Sequence, residues 1–169
     1  MLQYCSKENH IMSFNSNDKQ KIFRAGIIPY IVNENNEIEM LFMKPAHTNF
    51  GAELDPITNQ LTMKYQLAKG RIEQNEDARE AAIREGCEET GLKVENISQV
   101  VHIGNFLGRT ELFVAKCLSK TDFGEPDYET ESTKWLTLTE FETEGRQLHQ
   151  DLVHKAHQII ELNEEYYNY

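Results

Sequence analysis

The sequence predicts an α/β domain: a mixed sheet with helices on its faces. Three observations carry that reading. Apolar runs rich in strand-forming residues come in pairs around turn signals, 25–32 with 38–43 and 98–107 with 111–118. A segment of helical composition, EDAREAAIREGCEETG (76–91), stands between the pairs. A second helical segment closes the chain within 145–169, where Leu148, Leu152, Ala156, Ile159 and Leu162 recur at helical spacing. Strands surrounding one central and one terminal helix pack most simply as a sheet covered by helices.

Each element follows in order. Residues 1–22 are polar and Asn/Ser-rich, and read as a mobile arm or a short edge strand; 23–169 read as one domain. AGIIPYIV (25–32), the turn NENNE and IEMLFM (38–43) make a hairpin. The connection 44–64 has two prolines and few periodic signals, and connections of that length are often functional. YQLAKG (65–70) leads into the acidic segment. The 76–91 helix has acidic residues in its first turn, alanines at 78, 81 and 82, and Gly91 where a C-terminal cap belongs. SQVVHIGNFL and ELFVAKCL flank the turn GRT as a second hairpin. An acidic loop (121–132) precedes the strand TKWLTL (133–138).

The chain has 169 residues and a net charge of −11. That balance argues against a general nucleic-acid binder, which presents a basic face. No apolar run approaches the ~20 residues that span a bilayer, and residues 1–21 lack the apolar stretch of a signal peptide. A cytoplasmic location without membrane partners is the expectation. Cys5, Cys87 and Cys117 are odd in number and far apart, and read as reduced thiols.

Glu85, Glu88 and Glu89 stand at i, i+3 and i+4, spacings that crowd like charges on one helical face at a few tenths of a kcal/mol per pair. A solvated acidic face would explain them; so would a divalent cation held by carboxylate oxygens. The surrounding spacing favours the cation. Gly70 is followed after five residues by Glu76, then after seven by Arg84 and Glu85, then Glu88, Glu89, Gly91 and Leu92. This pattern resembles the box of the Nudix hydrolase family and spans residues 70–92. One position departs: Gly86 stands where the family has an apolar residue. A helical glycine costs about 1 kcal/mol against alanine, and tight packing of the helix on a strand is the expected reason.

The resemblance implies an α/β/α sandwich and Mg²⁺- or Mn²⁺-dependent hydrolysis of a pyrophosphate linked to a nucleoside. By position, Glu85, Glu88, Glu89 and the Lys69 carbonyl would ligate metal, and Arg84 and Glu76 would orient the glutamates. The base would be a box glutamate, Glu88 or Glu89, or a loop glutamate some six residues before a tryptophan that opens a strand. Here that tryptophan is Trp135 and the loop residue Glu129, with Glu131 and Glu125 nearby. An acidic surface loop would explain these three equally well.

The substrate is less legible. LAKGRIE (67–73) resembles the start of the box in dinucleoside-polyphosphate hydrolases, with Ala68 where proline often sits. ADP-ribose, a flavin dinucleotide, a nucleoside triphosphate and a 5′-capped RNA end also fit. Lys44, Lys64, Lys69 and Arg71 are candidate phosphate contacts. Phe50, Tyr65, Phe106 and Tyr128 are candidate base-stacking residues, although most such aromatics serve the core. His154 and His157 read as helix surface, and Cys87 as a small buried side chain. A homodimer is compatible with the family. The competing reading is a nucleotide-binding or sensor module without catalysis, resting on Gly86 and the 44–64 connection.

Overall fold

The structure is a computed structural model that describes residues 23–46 and 52–167. The 1–22 arm, Cys5 and Phe50 lie outside those residues.

The main sheet has six strands, five of them in the order β6-β7-β1-β2-β8: β1 (Arg24–Val32), β2 (Ile38–Pro45), β6 (Ile97–Phe106), β7 (Thr110–Cys117) and β8 (Thr130–Leu136). The sheet is mixed, because β1 runs parallel to β7 and antiparallel to β2. β5 (Ala68–Arg71) pairs with the first half of β1, where Arg24 opposes Arg71 and Gly26 opposes Lys69. The second half of that edge belongs to β2, from Tyr30↔Met40 onward.

Strand alternation assigns the faces. Ile28 and Tyr30 of β1, Met40 and Phe42 of β2, and Leu112 and Val114 of β7 point to one side. There they meet α2 (Leu138–Glu144) and α3 (Gln150–Tyr167) through Phe141, Leu152, Val153, Ala156 and Ile160. Ala25 and Ile27, with Phe113, Ala115 and Cys117, point to the other side, against Ala81 and Ala82 of α1 (Ala78–Thr90). Each fully buried Ile or Leu contributes roughly 1.5–3 kcal/mol.

α1 starts where the sequence signals it. Asp77 caps the Glu80 N–H at 2.8 Å, and Glu80 returns a bond to the Asp77 N–H at 3.0 Å. Gly91 ends the helix at φ +79°. The expected packing at Gly86 is present: an added Cβ would lie 2.6 Å from Ile27 Cγ2. Only glycine lets α1 sit this close to β1.

Four expectations are corrected. The strand expected at 133–138 is Thr130–Leu136, so Trp135 stands near its end rather than opening it. Leu138 instead starts α2, unforeseen and capped by Thr137 and Glu140. The terminal helix starts at Gln150, after a 3₁₀ turn Gln147–His149, and its buried face is Leu152, Val153, Ala156 and Ile160. Leu148 and Leu162, expected on that face, are 54% and 61% exposed, because Leu148 precedes the helix and its phase differs. The 44–64 connection contains a small hairpin, β3 (Ala52–Leu54) with β4 (Leu61–Met63).

Candidate active site

β5 and α1 build the site between them. The Lys69 N–H donates to Glu89 Oε1 at 3.0 Å, away from β1. Within a strand, one residue's N–H and C=O point to the same edge, so the Lys69 carbonyl also faces α1. The Arg71 carbonyl, two residues on, does the same and accepts from Arg84 Nη2 at 2.9 Å. Between them sits Gly70, where an added Cβ would collide with the Glu85 carboxylate. The missing side chain is what gives Glu85 its place.

Arg84 ties the carboxylates together. Its Nε and Nη2 grip both oxygens of Glu76 at 2.8 and 3.0 Å. Its Nη1 donates to Glu85 Oε2 at 2.9 Å and to Glu88 Oε1 at 3.3 Å. Glu76 in turn accepts from the Glu73 N–H at 2.9 Å. The Glu76 side chain draws the Arg84 guanidinium further toward its protonated form, while Arg84 holds the Glu76 carboxyl below the usual range.

The three box glutamates divide. Glu85 and Glu89, one turn apart, are buried against β5, whereas the Glu88 side chain is 46% exposed. Burial pushes the Glu89 carboxyl up to about 8, opposed by the Lys69 N–H and reinforced by Glu85. Burial likewise raises Glu85, against the pull of Arg84. Burial, then Arg146, brings the Lys69 ammonium down to about 8.

The acidic loop is docked onto the end of α1. The Gly124 N–H donates to the Gly91 carbonyl at 2.7 Å, Asp127 N–H to Glu88 O at 2.7 Å, and Thr130 Oγ1 to Glu89 O at 2.7 Å. Phe123 meets Trp135 edge to face at 5.6 Å. These bonds bring Glu129 beside Glu89, and the two share a cavity of about 270 Å³ with Arg24, Met43, Pro45, Gln66, Leu67 and Lys69.

The NUDIX domain family matches residues 23–156 of this chain. The chain belongs to the Nudix family. Solved structures agree on the fold. A C. elegans Ap4A hydrolase binary complex superposes with a TM-score of 0.58 at 19% identity, covering 82% of this chain and 97% of that one. A mutT/nudix family protein from Listeria innocua gives 0.56 at 24% identity, covering 85% and 94%. The NUDIX domain of Shewanella oneidensis NrtR, complexed with ADP ribose, gives 0.56 at 11%, covering 82% and 88%. Among curated proteins, none matches the sequence.

As a Nudix protein the chain is a pyrophosphohydrolase, and its box residues fall together: Lys69, Glu76, Arg84, Glu85, Glu88 and Glu89, joined by Glu129. Glu125 and Glu131 do not line the cavity. The other expected phosphate contacts scatter. Lys44 lies on the strand face opposite its cavity-lining neighbours Met43 and Pro45, over the Tyr65 ring at 4.9 Å. Lys64 donates to the Thr143 carbonyl at 3.4 Å. Arg71 is exposed beside Phe23, and Tyr128 is 79% exposed on the loop. Tyr65 and Phe106 pack against the core. His154 and His157 pair with Glu142 and Glu161 on the surface, and burial raises the Cys87 thiol.

Two cavity groups, Arg24 and Gln66, and the neighbouring Arg146 escaped the sequence reading. Arg24 lines the cavity directly. Gln66 Oε1 accepts from both Lys69 Nζ and Arg146 Nη1 at 3.1 Å. No local pattern marks them, since they meet only through β5 and the turn after α2.

The donor set fits a divalent cation. Glu85, Glu88, Glu89 and the Lys69 carbonyl offer only hard oxygens, the kind Mg²⁺ and Mn²⁺ take. Among the described residues Glu89 receives no cationic hydrogen bond, only the Lys69 N–H, and Gly70 leaves the space that Glu85 occupies. Among the described residues no three acidic, His or Cys side chains converge as a finished cage.

Proposed function

We propose that this chain uses Mg²⁺ or Mn²⁺ to hydrolyse a pyrophosphate bond in a nucleotide-type substrate. One observation carries the reading: two buried carboxylates, Glu85 and Glu89, face β5 at raised pKa, and Glu89 shares a cavity with Lys69 and Arg24. Burying repelling carboxylates is costly unless a counter-charge belongs between them and an anion.

Glu85, Glu88, Glu89 and the Lys69 carbonyl would hold the cation, which supplies charge neutralisation at the phosphates and a water of lowered pKa. Arg84, clamped by Glu76 and the Arg71 carbonyl, fixes the direction of Glu85 and Glu88. Glu129 is the base in this account. Glu88 is committed to Arg84 and Glu89 to the Lys69 N–H, whereas no donor to the Glu129 carboxylate occurs among the described residues. It would accept the proton of the attacking water at Oε1 or Oε2. Lys69 and Arg24, which line the same cavity, would hold phosphate oxygens.

Dinucleoside polyphosphates and ADP-ribose are the first substrates to try, with FAD, nucleoside triphosphates and capped RNA after them. The LAKGRIE segment and the resemblance to an Ap4A hydrolase favour the first. Of the two supports for the reading without catalysis, Gly86 has a packing reason in its contact with Ile27. The test is a substrate panel with and without Mg²⁺, for wild type and Glu129→Gln. Metal-dependent release of a nucleoside phosphate, slowed at least 100-fold in the variant, is expected. Full activity of Glu129→Gln would remove the base assignment.

A further inference from the structure

Beside the cavity mouth, three arginines gather on one aromatic ring. Arg24, Arg71 and Arg109 place their guanidiniums 5.7, 5.6 and 5.3 Å from the centroid of Phe23. The backbone enforces the cluster. Arg24 opposes Arg71 across β1 and β5, the N–H groups of Phe23 and Arg24 both donate to the Arg109 carbonyl, and the Ile72 N–H donates to the Phe23 carbonyl.

In a chain with 28 acidic and 17 basic residues, carboxylate partners should be easy to find. Yet none of these three guanidiniums makes an ion pair among the described residues. Arg71 and Arg109 are exposed and Arg24 is half-buried. Stacking on Phe23 pre-orders the guanidiniums, whose planar forks suit phosphate oxygens. It also leaves little of the ring free for a nucleobase.

The cluster continues from the cavity. Arg24 belongs to both, and Lys69 and Arg146, joined at Gln66, extend the cations inward. Arg24 lines the cavity, so a phosphate chain that extends past it meets Arg71 and Arg109 on the same ring.

We propose that Arg24, Arg71 and Arg109 on Phe23 form a docking patch for a condensed phosphate chain of three or more phosphates. The patch makes phosphate number a determinant of substrate choice. It rests on the pyrophosphohydrolase reading for its biological use, though not for its binding chemistry.

The test separates the two. Calorimetry with inorganic tripolyphosphate, in EDTA and low salt, should show binding to wild type and far weaker binding of orthophosphate. Removing an exposed ion pair costs up to about a factor of five, so Arg71→Ala with Arg109→Ala should lose about tenfold, with Arg109→Glu at least as damaging. Undetectable tripolyphosphate binding, equal affinity in the double variant, or equally tight binding of a 5′-hydroxyl RNA oligonucleotide would each overturn the patch. Kinetics with adenosine tri-, tetra- and pentaphosphate complete the test. The double variant should lose more as phosphates are added, and an unchanged preference sinks the proposal. Absence of all hydrolysis would sink the enzymatic reading alone and leave the calorimetric result standing.

Discussion

Replacing Glu89 by glutamine separates charge from shape at the centre of the site. Burial holds the Glu89 carboxyl at about 8 against an ordinary 4.5. Between those pH values the folded protein binds more protons than the unfolded chain, so this group's contribution to stability falls as pH rises through the window and levels off above it. At ~1.4 kcal/mol per pH unit, the window caps the cost of ionising Glu89 without metal at roughly 5 kcal/mol. Relaxation and water entry reduce the expected cost to about 2–3 kcal/mol. Glutamine keeps an oxygen for the Lys69 N–H and carries no charge. In EDTA, Glu89→Gln should therefore exceed wild type in stability by about 2–3 kcal/mol at pH 8.5, and lie within about 1 kcal/mol of it at pH 5. Urea unfolding across pH 5–9 measures both, and the difference between the two proteins isolates Glu89 from the other titrating groups. Excess Mg²⁺ should then stabilise wild type more than the variant, increasingly with pH. A variant less stable than wild type at pH 8.5 in EDTA would refute the reasoning, because Glu89 would not be a buried, repelled charge.

Other substitutions probe the supports. Arg84→Lys cannot grip Glu76 with two nitrogens while reaching the Arg71 carbonyl, so kcat should fall about 10–100-fold with little change in Tm. Gly86→Ala meets Ile27 Cγ2, a branched methyl inside a strand, and should cost about 1–3 kcal/mol despite its better helix propensity. Chemical denaturation should show partial recovery when Ile27→Ala is added. His149 is fully buried with neither ring nitrogen hydrogen-bonded among the described residues. Burial, then Lys69 and Arg146, lowers its pKa to about 2. The unfolded chain alone binds that proton, so stability should drop by up to ~1.4 kcal/mol per pH unit below 6.5, and His149→Leu should flatten the acid limb.

What was legible in the sequence is what is local. The box announces itself because a helix fixes Glu85, Glu88 and Glu89 relative to one another, and because Gly70 and Gly91 answer to steric demands that few other residues meet. The capping pair Asp77 and Glu80 sets the start of α1 at Ala78, two residues inside the 76–91 segment read as helical. The seven-residue α2 offered only Thr137 and Glu140 as a signal, and three-residue strands such as β3 and β4 have too few positions to show a period. The buried face of α3 was misphased because Leu148 lies in a 3₁₀ turn, outside the helical register. Arg24, Gln66 and Arg146 were invisible for a different reason: they come from three separate segments, and only the pairing of β5 with β1 and the return of the chain after α2 bring them around Lys69. Glu129 was located from the resemblance, although Trp135, its reference point, sits near the end of its strand. What holds Glu129 beside Glu89 is the docking of Gly124, Asp127 and Thr130 on the end of α1.

The proposed function places metal-dependent attack of water on a pyrophosphate at the buried Glu85–Glu89 pair. Hydrolysis of Ap4A and ADP-ribose in ¹⁸O-labelled water, with products resolved by mass, tests it most directly. The account predicts Mg²⁺-dependent turnover that places one labelled oxygen on a single phosphate product and is abolished by Glu89→Gln. Label-incorporating turnover that persists without divalent metal, or at wild-type rate in Glu89→Gln, would contradict it.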